Sequence, residues 1–331
     1  MVKKSYSDLM KAAVLYEPGG PQNFRIEERA LSHVQSDEVL VRVKAFGLNR
    51  SELMTRKGLS PSVKFPRVLG IECVGEVEND PSGQFLKGQQ VAALMGGMGR
   101  QYDGSYAEYV VLPKHIVFPF KSHLPWEQLG AFPEMFQTAY GSLHLALNIA
   151  KGETLLIRGG TSSIGMLATQ LAKNFGLNVI ATTRSIDKEK ILTQNGVDEV
   201  VIDDGQLSPK LSARFGNGVD KVLELVGTSS LKDSLQCVKA GGTVCMTGML
   251  SEQWSVIDFV PMDYIPATVK LTVYDSGQVK IDPVHFQKFI TDVEAGKIRL
   301  NVSRVFTLNQ IVQAHELMES NSASGKIVVV P

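Results

Sequence analysis

The sequence predicts an α/β protein in which a β-rich domain is interrupted by a doubly wound parallel sheet. Three observations predict it. Short β-rich pieces separated by Pro and Gly turns run from residue 11 to about 120, strand and helix patterns alternate from about 125 onward, and the tail returns to the rhythm of the first part. The expected division is 1–122 for the first part of the β-rich domain, 123–276 for the parallel sheet and 277–331 for the return. At 331 residues the chain exceeds the usual size of a single core, so two domains are expected on length alone.

In the first part, KAAVLY, EVLVRVKAFGLN, RVLGIECVGEVE, QQVAALM and SYAEYVVLP carry the alternation or short apolar runs of strands. The second part opens with a helical pattern, QTAYGSLHLALNIA, and continues as strand TLLIR, helix IGMLATQLAKNFG, strand NVIATT, helix IDKEKILTQNG, strand EVVI, strand DKVLELVG, helix SSLKDSLQCVKA, strand TVCMTG and strand VKLTVY. The tail reads as helix VHFQKFITDVEAG, a short strand near SRVF, helix NQIVQAHELMES and strand KIVVV. VKLTVY closes the parallel series and is expected to be an open sheet edge. Pairing with a second copy would cover that edge, which predicts a homodimer.

Apolar residues make up 44% and charged residues 21%, the balance of an ordinary globular protein. Lys plus Arg and Asp plus Glu are 34 each, so no broad field is available for nucleic acid or an anionic membrane. Cys73, Cys237 and Cys245 lie in apolar stretches and cannot form an even disulfide framework; buried thiols in a reducing, cytoplasmic compartment are expected. No apolar run reaches the length of a membrane span, and the start MVKKSYSDLMKAAVLYEPGG has no apolar core of a signal peptide. The reading is a soluble, unexported protein.

The stretch LLIRGGTSSIG, residues 155–165, carries the chemistry. Gly160, Ser162 and Gly165 stand at the three positions of GxGxxG, with serine where the second glycine usually is. Strand, loop and helix follow in the order such a loop requires, and a helix start collects free N–H groups and partial positive charge. Gly160, Thr161, Ser162, Ser163, Ile164 and Gly165 are therefore read as a diphosphate cradle, the alternative being a tight turn whose glycines serve packing only. Val226 and Gly227 after DKVLELV, and Gly248 and Met249 after TVCMT, fall on the same edge of the sheet and are read as cofactor-binding, or else as plain strand-ending turns.

At the end of the next strand, where an acid would hold a ribose 2′-OH, the chain reads Thr182, Thr183, Arg184, Ser185. An acid about 4 Å from a 2′-phosphate would cost on the order of 4 kcal/mol at an effective dielectric near 20. Its absence, with Thr183, Arg184, Ser185 and Lys188 as binding residues, predicts NADPH. The competing account makes Ser185 a helix cap and Arg184 and Lys188 a solvated face, with Asp187 opposing an anion if turned inward.

FGLNRSELMTRKG with PRVLGIECVGEVE, IRGGTSSIGMLATQLAKNFG, and GGTVCMTG together resemble the medium-chain dehydrogenase/reductases, in their zinc-free quinone oxidoreductase or zeta-crystallin-like branch, over nearly the whole chain. The resemblance implies a GroES-like catalytic domain interrupted by a Rossmann domain, with NADPH in the cleft between them. Where the zinc-dependent branch carries its ligands, this chain has Asn49, Ile71 and approximately Glu134. Catalytic zinc needs three protein ligands, so no metal is expected. The implied activity is hydride transfer from NADPH to a quinone or α,β-unsaturated carbonyl. The alternatives are an enoyl-thioester reductase and a non-catalytic NADPH-binding protein of crystallin-like or sensor type. By the same resemblance Asn49 is the catalytic polar group, Thr138 lies beside the nicotinamide, and Lys326 lies near the cofactor. Met54 stands where several quinone reductases have tyrosine, which leaves an apolar wall without a phenolic donor. Tyr140 is a candidate proton donor without a spacing argument.

Overall fold

The computed structural model describes residues 9–280 and 282–331; the basic start of the chain lies outside them. Two compact units result, Met1–Glu134 with Lys280–Pro331, and Met135–Val279. In chain order the first stretch forms β1 (Leu9–Leu15), β2 (Phe24–Ala30), β3 (Glu38–Gly47), α1 (Arg50–Arg56), β4 (Arg67–Val68), β5 (Glu72–Asn79), β6 (Gln90–Leu94), β7 (Tyr109–Pro113), β8 (Val117–Pro119) and α2 (Trp126–Leu129). Next come α3 (Pro133–Gly141), β9 (Thr154–Arg158), α4 (Ser163–Phe175), β10 (Asn178–Thr183), α5 (Glu189–Gln194), β11 (Glu199–Ile202), α6 (Leu207–Phe215), β12 (Val219–Glu224), α7 (Thr228–Gln236), β13 (Val238–Met246), α8 (Pro261–Tyr264) and β14 (Lys270–Val273). The chain then returns with α9 (Pro283–Glu294), β15 (Val302–Thr307), α10 (Ile311–Glu319) and β16 (Lys326–Val330).

The first unit holds a three-stranded sheet, β2-β1-β4, and a seven-stranded sheet ordered β15-β16-β3-β5-β6-β8, with β7 also on β3. β3 reads EVLVRVKAFG and is buried along most of its length, which suits a strand at the middle of a sheet. β16 pairs antiparallel with its end, Val328 opposite Gly47 and Val329 opposite Phe46. That pairing brings Lys326 to the residues that follow β3. Phe46, Leu53, Met98, Tyr106 and Leu112 lie in the core of this unit.

The second unit is a parallel sheet ordered β11-β10-β9-β12-β13-β14, the doubly wound arrangement. β9, at its centre, is buried from Leu155 to Arg158. Leu156, Ile180, Val222, Leu235 and Val244 form a core cluster. α4 starts at Ser162, whose hydroxyl accepts the Gly165 N–H, and stops at Gly176 in the left-handed conformation. Among the described residues β14 pairs only with β13, so it stands at one edge of the sheet, with β11 at the other.

Several elements differ from the expectation. The pattern over 137–150 is cut short: α3 ends at Gly141 and a π-helical turn, Ser142–Ala146, follows. There Tyr274 Oη donates to the Gln137 carbonyl at 2.9 Å, a side-chain insertion that accompanies the loosened winding. β13 begins five residues before Thr243, because its pairing with β12 slips between Val219 and Lys221. α6 was absent from the pattern, since LSPKLSARF buries only Leu207 and Leu211. The strand FRIEERA, β2, is mostly polar, yet it pairs with β1 over its full length. All three cysteines are free and buried, and burial raises each thiol above its ordinary value. No helix among the described residues is long and apolar enough to cross a membrane.

The carboxyl end of β9 carries a buried cation. Arg158 Nε and Nη2 grip Asp203 at 2.8 and 2.9 Å, while Nη1 reaches Asp233 at 2.8 Å, Ser234 Oγ at 3.0 Å and the Ser230 carbonyl at 3.1 Å. Asp233 also accepts the N–H groups of Leu207 and Ser208 at the start of α6. One guanidinium thus ties β9 to the loop after β11 and to two helices. Arg158→Met should destabilise the protein by about 3–5 kcal/mol in urea unfolding, because two part-buried carboxylates lose their cation. Arg158→Lys should recover part of the loss.

Candidate active site

In the second unit the loop after β9 shows why small residues stand there. A Cβ on Gly160 would lie 2.7 Å from Ala181 Cβ, and one on Gly165 would lie 2.7 Å from the Gly159 carbonyl oxygen. Both glycines therefore let β9, β10 and α4 approach one another. Gly160 N–H goes to the Thr182 carbonyl, Ser162 N–H to the Gly159 carbonyl and Gly165 N–H to Ser162 Oγ. The N–H groups of Thr161, Ser163 and Ile164 have no acceptor among the described residues. Those three donors at the head of a thirteen-residue helix fit a diphosphate.

The loops beyond β12 and β13 are held by Glu224. This buried carboxylate accepts Val226 N–H at 2.6 Å and Gly227 N–H at 3.0 Å, and Ser234 Oγ donates to its other oxygen. Burial raises the Glu224 carboxyl above its usual range, against the pull of Ser234, Gly227 and Arg158. The Glu224 carbonyl takes the N–H groups of Thr247 and Gly248, so Val226, Gly227, Gly248 and Met249 stand close together. At the tip of β10, Thr183 is buried with its hydroxyl between Ser185 N and O, both at 3.2 Å. Ser185 is the cap of the next turn: its hydroxyl accepts Asp187 N–H and donates to Asp187 Oδ2, both at 3.3 Å. Arg184 is exposed and Lys188 half-buried, and neither has a carboxylate partner among the described residues. Thr138 is buried on α3. Tyr140 stacks on Phe136 and lies against His144, with centroids 5.2 and 4.3 Å away.

The first unit gathers a second constellation. β3 ends at Gly47, Asn49 precedes α1, Glu72 opens β5 and Lys326 opens β16. Lys326 Nζ donates to Asn49 Oδ1 at 2.5 Å and pairs with Glu72 Oε1 at 2.7 Å; Asn49 Nδ2 donates to the same Glu72 oxygen at 2.9 Å. Glu134 N–H donates to Glu72 Oε2 at 2.8 Å. Glu72 and Lys326 are buried, and a Cβ on Gly47 would sit 2.3 Å from Lys326 Cε and 2.6 Å from Glu72 Oε1. Only glycine leaves room for this pair. Glu52, buried on α1, accepts Ile71 N–H at 3.2 Å through Oε1, and its Oε2 has no partner. Met54 is also buried on this helix.

These residues bear on a metal. Zinc needs three lone-pair donors turned to one point. Here Asn49 Oδ1 and Glu72 Oε1 face an ammonium, and Ile71 has no ligating atom, so two of the three positions offer no free lone pair. The donor set does not fit a zinc ion. Among the described residues no group of three or more His, Cys, Asp or Glu is arranged to hold any metal. His315, pushed down to about 3 by burial, is neutral and meets Tyr106 Oη at 3.1 Å in the core.

The family resemblance pointed to Asn49 and Lys326 but not to Glu52, Glu72, Arg158 or Glu224. A charged residue inside an apolar strand run, as in TLLIR and DKVLELVG, is the signal that was present for the last two. A family model described as alcohol dehydrogenase GroES-like domain matches residues 35–122, and one described as zinc-binding dehydrogenase matches residues 195–329. Human quinone oxidoreductase is 26% identical over 97% of this chain and 98% of its own. The chain belongs to the medium-chain dehydrogenase/reductase superfamily, in the quinone oxidoreductase branch. An acryloyl-coenzyme A reductase of Sulfurisphaera tokodaii is also 26% identical, over 97% of this chain and 100% of its own. In fold, this medium-chain dehydrogenase/reductase is similar to the crystal structure of Escherichia coli quinone oxidoreductase complexed with NADPH, with a TM-score of 0.88 and 21% identity over 97% of this chain and 100% of that one. The protein is an oxidoreductase with a GroES-like and a Rossmann domain.

Lys326→Met should cost about 3–5 kcal/mol in thermal or urea unfolding, because Glu72 is left buried without its cation. Adding Glu72→Gln to that variant should restore much of the loss, and a double-mutant cycle measures it.

Proposed function

We propose that the protein is an NADPH-dependent, zinc-independent reductase of quinones or other α,β-unsaturated carbonyl compounds. The observation that carries this reading is the Lys326 ammonium seated on Glu72 and on Asn49, the latter at a position where the zinc-dependent branch carries a ligand. Bound NADPH supplies a hydride, and an electron-poor conjugated carbon accepts it without a Lewis acid. The N–H groups of Thr161, Ser163 and Ile164 hold the diphosphate, and Arg184 and Lys188 meet the 2′-phosphate. Thr138, Val226, Gly227, Gly248 and Met249 serve the nicotinamide end.

Asn49 holds the acceptor. Lys326 fixes its oxygen and Glu72 takes one of its Nδ2 hydrogens. The other hydrogen has only long contacts, 3.4 Å to Glu52 Oε1 and 3.5 Å to the Gly47 carbonyl. That weakly engaged N–H is free to meet a carbonyl oxygen as negative charge grows on it. A second reading, an enoyl-thioester reductase, is favoured by the likeness to the acryloyl-coenzyme A reductase. The same Asn49 donor serves a thioester carbonyl equally well. A homodimer joined at the β14 edge is proposed as well: Val273 there is 67% exposed, and among the described residues the edge has no partner strand. Monomeric sedimentation at micromolar concentration would contradict it.

NADPH oxidation measured against quinones, 2-alkenals and enoyl thioesters decides among the acceptors. Tight NADPH binding without turnover of any of them would instead favour the non-catalytic, crystallin-like or sensor role. Asn49→Ala is expected to lower kcat about a hundredfold while leaving NADPH affinity in place. Arg184→Ala and Lys188→Ala should each reduce the preference for NADPH over NADH about tenfold, read by calorimetry with both nucleotides.

A further inference from the structure

We propose that Glu52 is a positioning residue for Asn49: with its carboxyl protonated the second Asn49 Nδ2 hydrogen is released to the substrate, and with the proton lost Glu52 keeps that hydrogen for itself. The inference rests on the reading of Asn49 as the group that holds the acceptor. Glu52 Oε1 already lies 3.4 Å from Asn49 Nδ2 and is anchored by Ile71 N–H at 3.2 Å, so the two groups stand ready to bond. A charged carboxylate accepts a far stronger hydrogen bond than a neutral acid does. Ionisation would also add a second negative charge to a cluster where Lys326 and Glu72 already cancel. That charge opposes the negative charge arriving on the acceptor oxygen.

The surroundings favour the neutral form near neutrality. Glu52 is 1% exposed, and its Oε2 finds no donor among the described residues. The titratable groups that face it are Glu72 from β5, Lys326 from β16 and Tyr106 from the segment before β7. Tyr106 stays neutral, being raised by its own burial. Burial pushes the Glu52 carboxyl up to about 7; Lys326 pulls it down and Glu72 pushes it further up. Because the folded value is raised, the native state binds the extra proton. The stability this carboxyl contributes is full below its ordinary value near 4.5 and is lost as pH rises through about 7.

Three measurements test this. Wild-type kcat should fall about tenfold between about pH 6 and about pH 8, whereas Glu52→Gln should give a flat profile over that range. Glu52→Asp should keep a falling limb with a shifted midpoint. A Glu52→Gln profile with the wild-type midpoint would overturn the proposal, since a residue that merely packs lowers rate at every pH alike. The third measurement needs neither turnover nor a variant that folds well: infrared titration of the intact wild-type protein, assigned by isotope-labelled glutamate. A protonated-carboxyl carbonyl band should disappear through about pH 7. Its absence at about pH 6 would sink the assignment of the proton. If no acceptor is reduced at any pH, the reductase reading fails, and the infrared band still decides whether Glu52 holds the proton.

Discussion

The Lys326 ammonium on Glu72 and Asn49 is the contact around which the buried polar cluster of the first unit is built. It joins the final strand of the chain to residues that lie some 250 to 280 positions earlier, and it does so inside the protein. A buried ion pair is weak evidence of stability, because taking two charges out of water offsets most of their attraction. Its effect here is to fix orientation. With the amide oxygen of Asn49 given to a cation and one amide hydrogen to an anion, the side chain cannot flip, and a single donor remains for use.

Arg158 plays a comparable part in the second unit. Its register partner across the sheet is Glu224, and each organises a different side of the carboxyl edge. Arg158 gathers Asp203 and Asp233, while Glu224 folds the loops after β12 and β13. Charge inside a parallel sheet is costly unless every polar atom is served. Here it fixes the backbone of the loop after β12 and of the start of α6.

The alternation of strand and helix was legible from periodicity, and so was the loop at 159–165, whose order of strand, glycine turn and helix has few other meanings. What stayed hidden was of two kinds. α6 and β2 bury little apolar surface, so their patterns are nearly polar and read as loop until neighbours are known. Glu72 and Arg158 act through partners far away in sequence, and no local pattern encodes such a partner. Asn49 was found through family likeness, yet the number of hydrogen bonds it has left to give could be learned only in three dimensions. Ser185 shows the reverse: the capping account weighed beside the phosphate account describes where its hydroxyl points.

The three sealed cysteines acquire a meaning in this setting. Quinones and enals are soft electrophiles that add readily to thiolates, so a catalyst that gathers them is exposed to alkylation by its own substrates. With Cys73, Cys237 and Cys245 buried and held in the thiol form, the chain offers such compounds no ready sulfur nucleophile. Under the proposed function, packing alone would guard the chain against inactivation by its own acceptors.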